Sequence, residues 1–252
     1  MKNKYVFILS VTVVCSLLLS IVSEVLKTKT LENMKFDKKK NVLSAAGIKN
    51  SLDQSVNLWS KEDVNSYFDN YINEVLIKID SDDYKKYTID NNLQIVDLIE
   101  EENMQTGEVR YYYIHESIKY EYLPLYKDEK ENVIILPISG KGLWSTLFGY
   151  FAIDSNDYST VKGITFYKHK ETPGLGGEVE AGWFKKQFID NKKIYNINNE
   201  LSSITVTKAG KVTPGDPHQV DGISGATITS KGVSDFLLRD LKRYQYYFES
   251  NK

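Results

Sequence analysis

The chain has 252 residues, 41% hydrophobic and 26% charged, with 32 basic side chains against 34 acidic ones. That length suits one domain of up to ~200–250 residues plus an appendage, and a formal charge of -2 with the two signs interspersed excludes the basic footprint of a nucleic-acid binder. A single cysteine, Cys15, excludes an internal disulfide framework and any Cys-rich zinc or iron–sulfur site, and His115, His169 and His218 lie too far apart in sequence for a helical metal pair.

The averages hide a segregated N-terminus. From Tyr5 to Leu26 the chain reads YVFILSVTVVCSLLLSIVSEVL, with Glu24 its only charge. Tyr5 to Val22 alone would make ~27 Å of helix at ~1.5 Å per residue, against a hydrocarbon core of ~30 Å. A cleaved signal peptide has a shorter apolar stretch of ~7–15 residues and a small-residue cleavage site. No Ala-x-Ala follows here, so residues 5–26 are expected to form a retained transmembrane helix. Lys2 and Lys4 flank one side, and Lys27, Lys29, Lys35, Lys38, Lys39 and Lys40 the other. A literal positive-inside count leaves the large domain in the cytoplasm, but long domains translocate largely regardless of charge, so local charge leaves the side open.

Residues 27–59 read as a Lys-rich linker with a short helix that Gly47 stops. Ser60 opens a helix with Asp63 as an imperfect capping box, and Val64, Tyr67, Phe68, Tyr71 and Val75 follow at helical spacing. Leu93–Ile99 and Val109–Tyr113 read as strands, and Tyr120–Tyr126 as an edge strand because Pro124 cannot donate to a ladder. Val133–Ile138 is a continuous apolar run expected of a buried strand, followed by strands at Phe148–Ile153, Val161–Tyr167 and Ser203–Thr207. Glu178–Phe188 reads as a helix, and a last helix starts near Thr227, with Val233, Phe236, Leu237, Leu241, Tyr244 and Phe248 on one face. The pattern predicts an α+β fold, a mixed or antiparallel sheet flanked by helices and preceded by one transmembrane helix.

Three loops carry glycine and hydroxyl residues beyond what packing demands: 139–145 (SGKGLWS), 169–177 (HKETPGLGG) and 221–230 (DGISGATITS). Val179 stands where a dinucleotide fingerprint needs a third glycine, and no loop holds the Gly-Lys-Ser/Thr of a P-loop. In the third loop Ser224, Thr227, Thr229 and Ser230 crowd hydroxyls at a helix start, where unpaired N–H groups favour a phosphate.

The segment 221–227 (DGISGAT) resembles the flavinylation motif Asp-x-x-Ser/Thr-Gly-Ala-Thr/Ser, in which the final hydroxyl carries FMN through a phosphoester. Together with the His169 loop, the Gly-Lys-Gly-Leu-Trp-Ser loop and the N-terminal apolar helix, the chain is similar to the C subunit of the Na+-translocating NADH:quinone reductase. The resemblance implies an FMN-binding domain at 60–252, covalent FMN on Thr227, and Asp221, Ser224, Gly225 and Ala226 as elements for a flavin transferase that acts on FAD. It implies Glu171, Thr172, Leu175 and Gly176 beside the isoalloxazine, Trp144 and Ser145 as a second wall, and Lys208 and Thr229 near the cofactor. It further implies a subunit of an NADH:ubiquinone reductase (Na+-transporting) in the bacterial inner membrane. Its partners would be subunits B, D and E, residues 1–4 would be a cytoplasmic tail, and the flavin domain would be periplasmic. The G subunit of the Rnf electron-transport complex, and a cofactor-free membrane-tethered module, are the alternatives.

Overall fold

The computed structural model describes residues 2–50, 52–80, 84–189 and 191–252. Its first helix, α1 (Lys2–Ala45), is continuous, without the break expected between the apolar span and the Lys-rich segment. The reason is local: no Gly or Pro interrupts residues 2–45, and Gly47, in the left-handed region at φ 69°, ends the helix as expected. The apolar part reaches a mean hydropathy of 2.6 with none of it buried, long and apolar enough to cross a membrane. Its other end is different. Val42, Leu43, Ala45 and Ile48 are buried, and Val56 joins them, so the end of α1 and the segment after it pack into the core that α2 and the sheet share.

α2 (Lys61–Tyr71) starts as expected, with the Ser60 hydroxyl accepting from the Asp63 N–H at 3.1 Å. It stops four residues before Val75. Val75 instead lies in β1 (Ile72–Ile79), whose β-branched alternation reads too briefly to separate it from the helix before it. β2 (Tyr87–Asp90) follows. Leu93–Ile99 is not a strand: Ile95–Asp97 forms a 3-10 turn, and the strand there is β3 (Ile99–Glu102). β4 (Val109–His115), β5 (Ile118–Asp128), β6 (Val133–Lys141), β7 (Thr146–Asp154) and β8 (Val161–Lys168) complete one antiparallel sheet, whose main path runs β2-β1-β5-β6-β7-β8, with β4 also on β5 and β3 on β4.

β5 is therefore central, not an edge. Pro124 faces Leu76 of β1 on one side and is accommodated on the other because β4 pairs only with Ile118–Tyr122 and β6 only with Tyr126–Asp128, so it falls in the gap between those two strands. Its carbonyl accepts from the Tyr244 hydroxyl at 2.7 Å instead of a ladder N–H. The sheet is covered on both faces: along β6, Ile134, Leu136 and Ile138 join one cluster, and Val133 and Ile135 the other. This is why that run is continuously apolar.

The C-terminal region covers the first of these faces. Glu178–Phe188 is not one helix: a 3-10 turn at Gly176–Glu180 is followed by the short α3 (Gly182–Lys186), which buries Phe184. A two-stranded parallel ribbon, β9 (Thr205–Val206) with β10 (Gln219–Val220), precedes α4 (Thr227–Asn251). All six expected core residues of α4 are buried. α4 lies so close on β6 that a Cβ at Gly140 would stand 2.2 Å from Phe236 Cβ. Gly140→Ala is expected to cost about 1–3 kcal/mol, as overpacking does, read as a lowered urea midpoint at unchanged slope; an unshifted midpoint would mean that the helix yields freely.

Candidate functional site

The three glycine-rich loops meet at the start of α4, and one carboxylate joins them. Glu171, 5% exposed, accepts from the N–H groups of Trp144 at 2.9 Å, Ser145 at 3.0 Å and Leu143 at 3.2 Å, and from the Thr229 hydroxyl at 2.7 Å. Burial by itself pushes its carboxyl up; the bonds from Thr229, Trp144, Ser145 and Leu143 outweigh this and hold it below the ordinary carboxylate value. The loops can close because Gly176 has no side chain: a Cβ there would lie 2.6 Å from Glu171 Oε2 and 2.7 Å from Thr229 Oγ1. Ser145 adds a second tie, its hydroxyl accepting from the Lys170 N–H at 2.7 Å. His169 Nδ1 accepts from the Glu171 N–H at 3.1 Å, and its Nε2 lies 2.9 Å from Glu180.

The expected site residues fall into two groups. Glu171, Gly176, Ala226 and Thr229 are buried, and the Glu171 carboxylate and the Thr229 hydroxyl satisfy each other. Thr172, Leu175, Trp144, Ser224, Gly225 and Thr227 are exposed above this clamp, with Ser145 partly so. Leu175 packs over Gly225, where a Cβ would be 2.8 Å from Leu175 Cδ2, so the second and third loops touch two residues before Thr227. Leu143, Trp144, Leu175 and Ile228 together leave large apolar side chains in solvent around the start of α4.

Asp221 does not reach Thr227 by any hydrogen bond. Its carboxylate accepts from the Gly210 N–H at 2.7 Å, and its main chain is held by Gln187, whose Oε1 accepts from the Asp221 N–H at 2.7 Å. It thus fixes the Thr207–Gly210 turn that carries the exposed Lys208. Ser230 accepts from the Ile223 N–H at 3.2 Å, bracing the motif from inside the helix.

α4 itself begins without a cap: Ala226 occupies the N-cap position, no side chain bonds the first turn, and that turn holds no acidic residue. Its N–H groups and positive dipole end are left to an anion at Thr227. Lys231, one turn further along α4, shares a groove with Thr227 and Lys208. Sequence reasoning passed it over, although its spacing of four from Thr227 places it on the same helix face.

The region is matched by the FMN-binding domain family over residues 142–241, which take in residues 142–145 of the first loop, the whole of the other two loops and most of α4. The chain is 34% identical over 240 residues to the C subunit of the Na(+)-translocating NADH-quinone reductase of Vibrio alginolyticus, covering 92% of this chain and 88% of that protein. It is 30% identical over 251 residues to the same protein of Haemophilus ducreyi, covering 95% and 86%. The solved structure of Shewanella oneidensis NqrC matches it with a TM-score of 0.63 at 25% identity, covering 87% of this chain and 98% of that one. With an apolar N-terminal helix, a buried antiparallel sheet and an uncapped helix start ringed by three glycine loops, this chain belongs to the C-subunit family of the Na(+)-translocating NADH-quinone reductase.

Proposed function

We propose that Thr227 carries FMN through a phosphoester, and that the chain relays electrons toward ubiquinone within the six-subunit reductase, next to subunits B, D and E, in a sodium-exporting pump. In this reading α1 holds the chain in the bacterial inner membrane, with residues 1–4 on the cytoplasmic side and the flavin domain, from residue 60 onward, on the periplasmic side. The observation that carries the proposal is the exposed Thr227 at the uncapped start of α4, whose hydroxyl makes no hydrogen bond among the described residues. The residues present fit the group: free N–H groups and Lys208 and Lys231 suit a phosphate, and Leu175 and Trp144 offer exposed apolar contact to a ring. Bound there, FMN would supply the electron chemistry that no side chain of this site offers.

The chain's own contribution is position. Glu171 holds the 142–145 and 169–177 loops against α4, and Asp221 holds the Lys208 turn. A threonine hydroxyl is a poor nucleophile at neutral pH, and no base is hydrogen-bonded to Thr227, so a separate Mg2+-dependent transferase must activate it. The threonine oxygen would bond to the flavin-side phosphorus of FAD, its proton would pass to a base of the transferase, and AMP would depart. Asp221, Ser224, Gly225 and Ala226 then present the hydroxyl to that enzyme.

Co-expression of the chain with its transferase tests this. A denaturing gel should show a flavin-fluorescent band at the mass of the chain, and Thr227→Ala should abolish it. A dark native band, or a variant that stays fluorescent, defeats attachment at this residue.

A further inference from the structure

The helices cover the second face of the sheet only in part. Between the end of α1 and residues 95–100 they leave a cavity of about 650 Å3, floored by Tyr126, Tyr150 and Pro137, with Phe148 and Tyr167 at its edge. The two floor tyrosines are 2% exposed and Tyr167 is 43% exposed, so the ring surface rises from the core into solvent. The Tyr150 hydroxyl couples to those of Tyr126 and Tyr167, and burial pushes all three phenols up, so they stay neutral. Rigid rings with a polar tip are the surface that protein interfaces favour at their centres.

Glu100 adds a charge to this surface. Its exposed carboxylate stands on the wall beside the hydroxyls of Tyr111, Tyr150 and Tyr167, and it makes no hydrogen bond or ion pair among the described residues. A basic group entering the cavity would meet that carboxylate across aromatic rings, which themselves attract cations. Lys168 already shows the attraction, with its ammonium 4.5 Å from the centre of the Phe148 ring.

α1 forms the opposite wall through Met34, Asp37, Lys38 and Asn41. Because the helix is unbroken from Lys2 to Ala45, its wall face can be followed into the apolar span. At 3.6 residues per turn, Thr12, Ser16, Ser23, Thr30 and Met34 all lie within about 20° of Asn41 around the axis. The face that overhangs the cavity is therefore the small-residue face of the span. Thr12 and Ser16 donate their hydroxyls to the carbonyls of Ile8 and Thr12, at 2.9 and 2.6 Å, which leaves a low surface of the type on which membrane helices approach closely. One continuous face thus joins a packing stripe in the membrane to a ring-floored cavity above it.

We infer that a membrane-spanning partner chain packs one helix along this face of α1, and that the stretch of that helix emerging from the bilayer enters the tyrosine cavity with apolar side chains and a basic residue for Glu100. From Ser16 to Met34 the rise is ~27 Å, so one helix long enough to cross a bilayer reaches both ends of the face. The cavity lies on the face of the sheet away from α4, so the inference does not depend on what Thr227 carries. It rests on α1 lying in the membrane.

The test puts a benzophenone side chain at Ser16 or Met34, on this face, and at Val14 or Glu32, on the opposite one, in the full chain within native membranes that carry the assembled reductase. After illumination, mass spectrometry of the digested adducts should place the Ser16 and Met34 products on one partner helix, about 18 residues apart. Their yields should exceed those from Val14 and Glu32 about tenfold, and Glu100→Gln with Tyr167→Ala, both at exposed positions, should lower the Met34 yield about tenfold while sparing the Ser16 yield and the melting temperature. Adducts on two different chains, on lipid or a small molecule, or on a second copy of this chain would overturn the inference. So would equal yields from the two faces, or a Met34 yield indifferent to the double substitution. Carbonate extraction reads the membrane position of α1 separately: a chain that washes off defeats the anchor, whereas one that stays while Met34 meets no partner helix defeats the docking surface alone.

Discussion

A chain lacking residues 1–26 is expected to melt within about 2 °C of the full-length protein, while one lacking 1–48 should lose about 5–8 kcal/mol of stability. Among the described residues, the first cut removes only exposed side chains. The second removes Val42 and Leu43, both 0% exposed, and Ile48, 4% exposed, from the core shared with α2 and the sheet. Each such side chain is worth about 1.5–3 kcal/mol when buried, and a domain of ordinary stability has about 5–15 kcal/mol in total, so the shorter chain should be largely unfolded. Denaturant titration of the two truncations checks this. Equal midpoints would mean that the end of α1 rests on the body without supporting it.

Glu171→Ala should cost about 3–5 kcal/mol, because it leaves the N–H groups of Leu143, Trp144 and Ser145 and the Thr229 hydroxyl without their acceptor in a buried place. Glu171→Gln keeps the shape, and its difference from the parent should depend on pH. The folded carboxyl lies below its ordinary value of 4.5, so the native state favours the charged form. Its contribution is complete above that value and is lost as pH falls through the depressed folded value. The parent should therefore lose its advantage over Glu171→Gln as pH falls through the acid window below the ordinary carboxylate value of 4.5. Stability curves of the two proteins at several pH values decide it: a difference that stays constant across this window would show that the charge on Glu171 is not what holds the loops.

Much of the fold was legible where one element meets one environment. The Ser60 start of α2, the strands of β4, β6, β7 and β8, and the buried face of α4 follow from periodicity and capping alone. The misreadings have a common cause. Pro124 argues for an edge unless a gap between β4 and β6 and the hydroxyl of Tyr244 are known, and both are supplied by distant parts of the chain. Val75 continues a helical spacing that the pairing of β1 with β5 overrides. The stretch 178–188 breaks into a 3-10 turn and a short helix as it buries Val179, Phe184 and Phe188 against the sheet.

At the candidate site the division is similar. Local composition singled out the three loops and the hydroxyls crowded at a helix start, and the resemblance of residues 221–227 to the flavinylation motif pointed to Thr227 among them. Which residues line an opening and which brace it was not readable. Glu171 and Thr229 look alike in sequence with Thr172 and Thr227, yet the first pair is buried and mutually bonded and the second pair exposed.

Local sequence was sufficient for whatever depends on neighbours within a turn or two: an apolar span near the N-terminus, alternating and helical apolar faces, and the glycine and hydroxyl motif at residues 221–227. Folding in three dimensions added that α1 runs unbroken from that span into the core, that β5 is central, and that one buried carboxylate gathers three loops around Thr227. Those outcomes rest on burial and hydrogen bonds between residues far apart in the chain, such as Tyr244 and Pro124, 120 positions apart, and no local pattern encodes them.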